Sequence, residues 1–359
     1  MSDDLYWLGF SAFPGVGPTR FSQLLQTFTT AEKAWHADEK ELITVLGNNL
    51  TAKFLTFKKF FSPEAFQKQL TQHTIWTVFL NDPQYSKLLK ELPNAPFVLY
   101  GKGDKALVTR SIRTIAVVGS RKITQYGKEV TGLLTKQLVE QDFVIVSGLA
   151  IGVDSVAHEA AMEHNGKTIA VLGCGVACCS PSVNQHIYDQ IEQKGGAIVA
   201  ESAFGSASAK GIFPARNRII AGLSQGVLVT EGAEDSGALI TAERAREIHR
   251  PIFAVPGPIT SMLSKGPLDL LAKGARIVTS GADVLNALAM PMKNGTAKKM
   301  QQGATPLEKL IIELLEKESL HFDELVRKTG KDSGSIGSLL SMMEVKGILR
   351  RLDGGKFGL

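Results

Sequence analysis

Three cations and an amide are concentrated in one short segment, residues 210–224, as Lys210, Arg216, Asn217 and Arg218. The pattern predicts a helix, because Pro214 suits an early helical position and the apolar residues after it have the spacing of a helix face packed on a core. Asn217 and the two arginines would then lie in the first turn, where the helix dipole favours an anion. Cations at this position predict an incoming anion. The alternative is that nearby carboxylates pair with both arginines.

Seven short apolar runs must supply the framework that positions these residues. Such runs are typical of strands buried on both faces of a parallel sheet. Helical patterns separate nearly all of them, and this alternation predicts an α/β fold with a doubly wound, mostly parallel sheet. The strands are predicted at residues 115–119, 143–147, 168–172, 196–200, 226–230, 251–255 and 276–279.

The ends of these strands locate a candidate site. Ligands of doubly wound sheets bind beyond the carboxyl ends of the strands, near the point where the strand order reverses. Glycines there admit a ligand to the backbone, hydroxyls form hydrogen bonds, and arginines bind phosphates. Together with residues 213–218, the following residues predict a phosphate-binding rim: Gly119, Ser120, Arg121, Ser147, Gly148, Gly152, Asp154, Gly173, Gly175, Glu201, Ser202, Glu231, Ser236, Gly237, Thr241, Pro256 and Gly257.

The segment before the sheet is predicted to be a helical domain over residues 1–75. Gly15 and Gly17 form a Gly-x-Gly turn that opens a helix, which resembles a helix-hairpin-helix whose backbone amides hold a DNA phosphate. A tight turn between two helices is the alternative. Short strands at residues 77–80 and 96–100 then lead into the sheet.

Changes in the sequence pattern define three further segments. The sheet domain is predicted for residues 76–288 and a polar linker for residues 289–304. Residues 305–359 have the outline of a winged helix, in which three helices precede a short hairpin. Lys and Arg do not concentrate on the third helix, so this unit is expected to bind either DNA or another protein.

Composition restricts the class of protein. A chain of 359 residues is long enough for two or three domains, and 44% hydrophobic with 21% charged residues is typical of a soluble globular protein. A net charge of +5 permits nucleic-acid binding without requiring it. Three clustered cysteines and the lack of a targeting pattern predict the reduced cytoplasm, and no apolar run suggests a membrane partner.

Several kinds of chemistry are not supported. The chain has no Gly-x-x-x-x-Gly-Lys-Ser/Thr phosphate loop, and Gly119-Ser-Arg-Lys122 stands where a dinucleotide-binding motif would begin. No metal is expected at Cys174, Cys178 and Cys179, because a second group of ligands is missing.

Catalytic roles also have simpler alternatives. Ser147, Asp154 and His158 could be drawn as a hydrolytic triad, but the spacing of the last two favours an aspartate near a helix start and a tethered histidine. Glu201 and Glu231 follow predicted strands and could act as acid or base. Each could equally anchor a loop or neutralise an arginine, so no catalytic residue is assigned.

Five linked motifs stand in a fixed order along the chain: Val118-Gly-Ser-Arg121, Ser147-Gly-Leu-Ala-Ile-Gly-Val-Asp154 with His158, Phe213-Pro-Ala-Arg-Asn-Arg-Ile-Ile-Ala-Gly-Leu-Ser224, Glu231 through Ser236-Gly-Ala-Leu-Ile-Thr241, and Val255-Pro-Gly257. Together they resemble the DprA/Smf family of DNA-processing proteins. The resemblance covers essentially the whole chain. It implies a sterile-alpha-motif-like beginning, an extended Rossmann-like core and a C-terminal winged helix.

The resemblance also implies a function. Members of this family bind single-stranded DNA taken up in natural transformation, protect it and help to load the RecA recombinase onto it, without nucleotide hydrolysis. The chain is thus expected to bind DNA in a sequence-tolerant way, to need no cofactor and to form a homodimer through its Rossmann-like domain. The family's DNA pocket corresponds here to Gly119, Ser120, Arg121, Ser147, Gly148, Lys210, Phe213, Arg216, Asn217 and Arg218.

Departures from the family pattern affect the wall of this pocket and not its cations. They lie at residues 178–181, 200–203, 205–209 and 264–269. The alternative function is that of a nucleotide-binding hydrolase resembling the cytokinin-activating phosphoribohydrolases. Val255-Pro-Gly257 begins the Pro-Gly-Gly-x-Gly-Thr loop of those enzymes, but Pro258-Ile-Thr260 interrupts it.

Overall fold

All seven predicted apolar runs form strands of one sheet, which confirms the mostly parallel α/β fold. The structure is a computed structural model that describes residues 3–206, 212–291, 305–315, 318–345, 349–352 and 355–358. Two further strands, β1 and β2, precede these seven. The nine strands are β1 Trp76–Phe79, β2 Val98–Gly103, β3 Thr114–Val118, β4 Val144–Ser147, β5 Thr168–Leu172, β6 Ala197–Ala200, β7 Val227–Val229, β8 Ile252–Ala254 and β9 Arg276–Ile277.

The strand order across the sheet is β1-β2-β6-β5-β4-β3-β7-β8-β9. Strands β3 to β9 are parallel to one another, whereas β2 pairs antiparallel with both β1 and β6. The two strands predicted to lead into the sheet therefore extend it at one edge. The chain proceeds outward from β3 to β6 and then returns to β7 on the other side of β3. The strand order reverses between β3 and β7, where doubly wound sheets bind their ligands.

Helices cover both faces of this sheet. The longest of the sheet-domain helices, α8, follows β3, and α11 and α12 flank β7 in sequence. The helices of this part of the chain are α1 Asp4–Ala12, α2 Pro18–Phe28, α3 Ala31–His36, α4 Glu39–Phe60, α5 Pro63–Gln72, α6 Lys87–Lys90, α7 Ala106–Thr109, α8 Gln125–Glu140, α9 Val153–Glu163, α10 Gln185–Gln193, α11 Ile212–Gly222, α12 Gly237–Glu247, α13 Lys265–Ala272 and α14 Gly281–Ala287.

The N-terminal helices share a hydrophobic core with one face of the sheet. Phe10 stacks on Phe54 at 5.1 Å between ring centroids, and Trp35 packs edge-on against both rings. The same buried cluster includes Tyr100 of β2 and Leu172 of β5. Residues on both sides of the boundary predicted at residue 75 thus pack together, and that boundary stays a prediction.

A second compact unit, Met292–Leu359, is separate from the first, Met1–Pro291. Its helices are α15 Pro306–Leu315, α16 Phe322–Thr329 and α17 Ser333–Val345, and its strands are β10 Leu320–His321, β11 Arg350–Arg351 and β12 Lys356–Gly358. The strands form an antiparallel sheet in the order β10-β12-β11, with Ile311, Leu325, Ile336 and Phe357 in the core. Three helices and this small sheet give the predicted winged-helix outline.

Within the described ranges, none of the helices has the length and apolar character that a transmembrane span requires.

Candidate functional site

A cavity of about 610 Å³ lies at the carboxyl ends of β3 and β7, where the strand order reverses. A smaller cavity of about 130 Å³ adjoins it and shares Arg121, Ala150 and Arg216. The larger cavity is lined by Val118, Gly119, Ser120, Arg121, Lys122, Ala150, Asp154, Arg216, Asn217, Ile220, Ala233, Asp235, Ser236, Gly237, Ala238, Ile240, Thr241 and Leu263.

The loop after β3 brings Arg121 to the cavity, and Glu231 fixes that loop. The buried Glu231 carboxylate accepts hydrogen bonds from the Thr124 backbone N–H at 2.9 Å and from its hydroxyl at 2.5 Å. The Glu231 carbonyl accepts another from the Ser120 N–H at 2.7 Å. A side chain at Gly119 would lie 2.7 Å from that carbonyl, so close packing requires glycine there. Glu231 is therefore an anchor of the loop, which is one of the three roles that the sequence left open for it.

The loop after β4 is organised by Asp154, the second residue of α9. One Asp154 carboxylate oxygen accepts hydrogen bonds from the backbone N–H groups of Gly148 at 3.0 Å and Ala150 at 3.4 Å. Burial raises the pKa of this carboxyl above its usual value, an effect that Arg216 and the backbone donors oppose. Gly152 has φ +86°, and a side chain on it would lie 2.2 Å from the Ser120 carbonyl. This glycine lets the two loops meet.

Arg216 of α11 also holds the loop after β4 in place. Its buried guanidinium donates to the carbonyls of Gly148 and Val171, and its Nε donates to the Asn217 side-chain oxygen at 3.2 Å. Burial lowers the pKa of Arg216, and the nearby Asp154 carboxylate partly offsets this by favouring the charged form. Arg216 thus lines both cavities as a cation whose position is fixed by backbone oxygens.

Asn217 and Arg218 differ in what they contact. Asn217 lines the larger cavity and donates to the Gly237 carbonyl at 3.1 Å, which ties α11 to the start of α12. Arg218 is buried and donates from one nitrogen to both Glu201 carboxylate oxygens, at 2.5 and 2.6 Å. For Arg218 the structure therefore contains the carboxylate partner that the sequence left open as an alternative.

The predicted start of α11 needs correction. The helix already includes Ile212, so residues 216–218 lie in its second turn and not in the first. Backbone N–H groups of a second turn are bonded inside the helix, so the backbone offers no free donors to an anion at these positions. Arg216 nevertheless lines the cavity, together with Asn217.

The remaining predicted residues are placed differently. Ser147 is completely buried, and its hydroxyl donates to the Val117 carbonyl of the neighbouring strand at 2.7 Å. Lys210 lies outside the described residues, and the Phe213 side chain is not among those described. DNA contacts by these three residues stay predictions.

His158 has a structural partner. Its Nδ1 lies 2.7 Å from the Thr168 hydroxyl, which itself donates to the Ile145 carbonyl at 2.8 Å. Since that hydroxyl uses its only proton on Ile145, Nδ1 must carry the proton and donate to Thr168. Burial lowers the pKa of His158 to about 3. His158 is thus held by Thr168 of β5.

Part of the cavity wall is formed by residues that were not predicted from the sequence. Ala233, Ala238, Ile240 and Leu263 line the cavity beside the predicted Ser236, Gly237 and Thr241. The available signal is helical spacing, because positions 237, 240 and 241 of α12 share one face.

Two family models match the chain. The first describes DNA recombination-mediator protein A and matches residues 76–289. The second describes the DprA winged helix domain and matches residues 296–355. The two matches cover the sheet and the second compact unit.

Relatives and solved structures resemble the chain over most of its length. Protein Smf of Synechocystis sp. is 33% identical over 99% of this chain and 98% of its own. DNA processing protein DprA of Bacillus subtilis is 40% identical over 59% of this chain and 71% of its own.

Among solved structures, DprA from Streptococcus pneumoniae matches with a TM-score of 0.68 and 35% identity, over 80% of this chain and 98% of that chain. A structure describing the single-stranded DNA binding mode of DNA processing protein A from Helicobacter pylori matches with a TM-score of 0.54 and 30% identity. It covers 60% of this chain and 95% of that one.

Proposed function

The chain belongs to the DNA recombination-mediator protein A family, and we propose that it binds single-stranded DNA in the cavity at the carboxyl ends of β3 and β7. The observation that carries the proposal is the convergence of Arg121, Lys122 and Arg216 on that cavity. The similar H. pylori protein, whose structure concerns single-stranded DNA binding, supports the choice of ligand.

The chemistry of the cations fits a strand of phosphates. Arginine guanidinium groups are well suited to phosphate oxygens. The Nε and Nη1 of Arg216 already donate to Asn217 and to two backbone carbonyls, which holds the side chain in place and leaves at most Nη2 for a phosphate oxygen. Phosphates are common to every sequence, so binding through them is tolerant of base identity.

The biological role is proposed from the family. The chain would protect single-stranded DNA taken up in natural transformation and help to load RecA recombinase onto it, as a cytoplasmic homodimer joined through the sheet domain. It would do so as a binding protein and not as an enzyme. RecA filament assembly on a single-stranded oligonucleotide, measured with and without the protein, tests this role. The proposal predicts faster assembly, and an unchanged rate would contradict it.

Binding to DNA is tested by salt-titrated affinities for single- and double-stranded oligonucleotides of equal length. The proposal predicts tighter binding of the single strand and an affinity that falls steeply with salt, because bound cations displace counterions from the phosphates. Equal affinity for both forms would contradict the assignment of the cavity to single strands.

The rival function is hydrolysis of a nucleotide at the same cavity. Incubation with nucleoside monophosphates separates the two functions. The proposal predicts no release of base and ribose phosphate, and turnover that scales with protein concentration would replace the binding role with an enzymatic one.

A further inference from the structure

A separate cavity, of about 270 Å³, lies at the other end of the sheet. It is lined by the segment around the start of α6, by the end of α7 with its connection to β3, and by the turn between α11 and β7. Thr114 is the first residue of β3, and Leu223 and Gln225 precede β7, so this cavity lies at the amino ends of both strands. It shares no lining residue with the cavity of about 610 Å³ at their carboxyl ends.

The charges at this amino-end cavity favour an anion. Lys87 and Arg110 line it, and none of its described lining residues is Asp or Glu. Both cations are exposed, and neither has an ion-pair partner among the residues that the structure describes. Their donors are therefore available to a phosphate group, which both lysine and arginine bind well.

The hydroxyl of Thr114 lacks a partner. Thr114 is 3% exposed, and its buried Oγ1 forms no hydrogen bond within the described part of the chain. Side chains alternate between the two faces of a strand, and Ala116 and Val118 of β3 pack in one cluster with Val108 and Leu223. Thr114 therefore faces the same side, where Val108 and Leu223 line the cavity. A ligand in the cavity can supply the hydrogen bond that this buried hydroxyl lacks.

Other polar side chains at the cavity keep part of their hydrogen-bonding capacity. Ser86 accepts one backbone N–H at 3.3 Å, which leaves its own proton, and the Thr109 hydroxyl donates to the Lys105 carbonyl at 3.2 Å, which leaves its lone pairs. The Gln225 side-chain oxygen accepts from the Thr114 N–H at 3.1 Å, which leaves the amide nitrogen as a donor. Alcohol hydroxyls both donate and accept, so these walls are suited to a polyol.

We propose that the amino-end cavity binds a small polyol phosphate, with the phosphate on Lys87 and Arg110 and a hydroxyl bonded to Thr114. The volume is just below the usual range of about 300–1,000 Å³ for small-molecule sites, which restricts the ligand to a few bonds in length. The site is independent of the proposed DNA binding, because the two cavities lie at opposite ends of β3 and β7.

The experiment is calorimetric titration of the full-length protein with three matched compounds. Glycerol phosphate has both groups that the site recognises, propyl phosphate lacks the hydroxyls and glycerol lacks the phosphate. Glycerol phosphate should bind at one site. Propyl phosphate should bind at least about threefold more weakly, because it leaves a neutral hydrogen bond unmade. Glycerol should bind at least about tenfold more weakly, because it lacks the charged hydrogen bonds.

The variant Thr114→Val links binding to this cavity. It removes the hydroxyl and keeps the size of the side chain, so affinity for glycerol phosphate should fall by about threefold to tenfold. Stability should not fall, because the hydroxyl has no partner in the described protein. Thr135→Val is the matched control, since Thr135 of α8 is also buried with an unpartnered hydroxyl in the described chain and does not line the cavity. Arg110→Ala should weaken binding by about fivefold, as expected for an exposed ion pair.

Every other outcome overturns the site. Equal binding of propyl phosphate means that no hydroxyl is recognised, and equal binding of glycerol, or no binding of glycerol phosphate, removes the role of the cations. Wild-type affinity in Thr114→Val, or an equal loss in Thr135→Val, removes the link to the cavity. A larger loss in Arg121→Ala than in Arg110→Ala places the compound in the cavity at the carboxyl ends. These titrations contain no DNA, so their failure leaves the proposed function standing.

Discussion

Arg218 and Glu201 form a nearly buried ion pair, in which one arginine nitrogen lies 2.5 and 2.6 Å from the two carboxylate oxygens. The Arg218 side chain is 8% exposed and that of Glu201 is 27% exposed. The other terminal nitrogen, Nη1, is buried and has no hydrogen-bond partner in the part of the chain that the structure describes. The pair therefore neutralises Arg218 without using all of its donors, and a DNA contact by this residue stays a prediction.

Removal of Arg218 should lower stability. We expect Arg218→Ala to reduce the free energy of unfolding by about 2 kcal/mol, because the Glu201 carboxylate loses charged hydrogen bonds in a mostly buried setting. Denaturant unfolding measures this loss. The double variant Arg218→Ala with Glu201→Gln should lose less than the sum of the single losses. Strictly additive losses would mean that the pair contributes nothing to stability.

Replacement of Glu231 should affect the site through the loop after β3. Glu231→Ala removes both acceptors of Thr124, so we expect a lower free energy of unfolding by about 1–3 kcal/mol and weaker binding of single-stranded DNA. Glu231→Gln keeps an acceptor for the Thr124 N–H, and its amide can donate to the hydroxyl. It should bind DNA nearly as the wild type does, and a loss as large as that of Glu231→Ala would show that the negative charge itself is needed.

His158 should make stability depend on pH. Burial, with a smaller contribution from the Arg216 charge, lowers its pKa from 6.5 to about 3. Between these values the unfolded chain binds a proton that the folded chain does not, so stability falls as the pH decreases through this window. The decline attributable to this group is at most about 1.4 kcal/mol per pH unit.

The variant His158→Asn isolates this effect. An asparagine can still donate to Thr168 but does not titrate, so its free energy of unfolding should decline less steeply than that of the wild type between pH 6.5 and 4.5. Urea unfolding at several pH values measures both slopes. Parallel slopes would show that His158 is not the group responsible.

Much of the sheet could be predicted from the sequence because its signal is local. Residues 115–118 form an unbroken apolar run, and every residue of β3 is buried in the structure. The pairing of β3 with β7 is different, because three strands separate them along the chain and nothing local specifies their contact. The cavity could be predicted all the same, since the rule for strand ends requires only that the sheet be parallel.

The residues of the site could largely be predicted from the sequence, but the contacts that hold them in place could not. Gly119 and Arg121 were identifiable as the end of a strand, but the Glu231 contact that fixes their loop depends on tertiary packing. The sequence left both a phosphate and a carboxylate as partners of the α11 arginines. In the structure the two arginines have different partners: Glu201 binds Arg218, whereas backbone carbonyls hold Arg216.

The proposal that the cavity at the carboxyl ends of β3 and β7 holds DNA phosphates is tested by the salt dependence of Arg121→Ala. A plot of log affinity against log salt concentration should be less steep than that of the wild type by about 0.7, the value for one phosphate contact on a single strand. Arg110→Ala is the control, because this exposed arginine lies just before β3, at the opposite end of the sheet, and its removal changes the net charge equally. Its slope should match the wild type. A wild-type slope in Arg121→Ala, or an equal change in both variants, would contradict the claim.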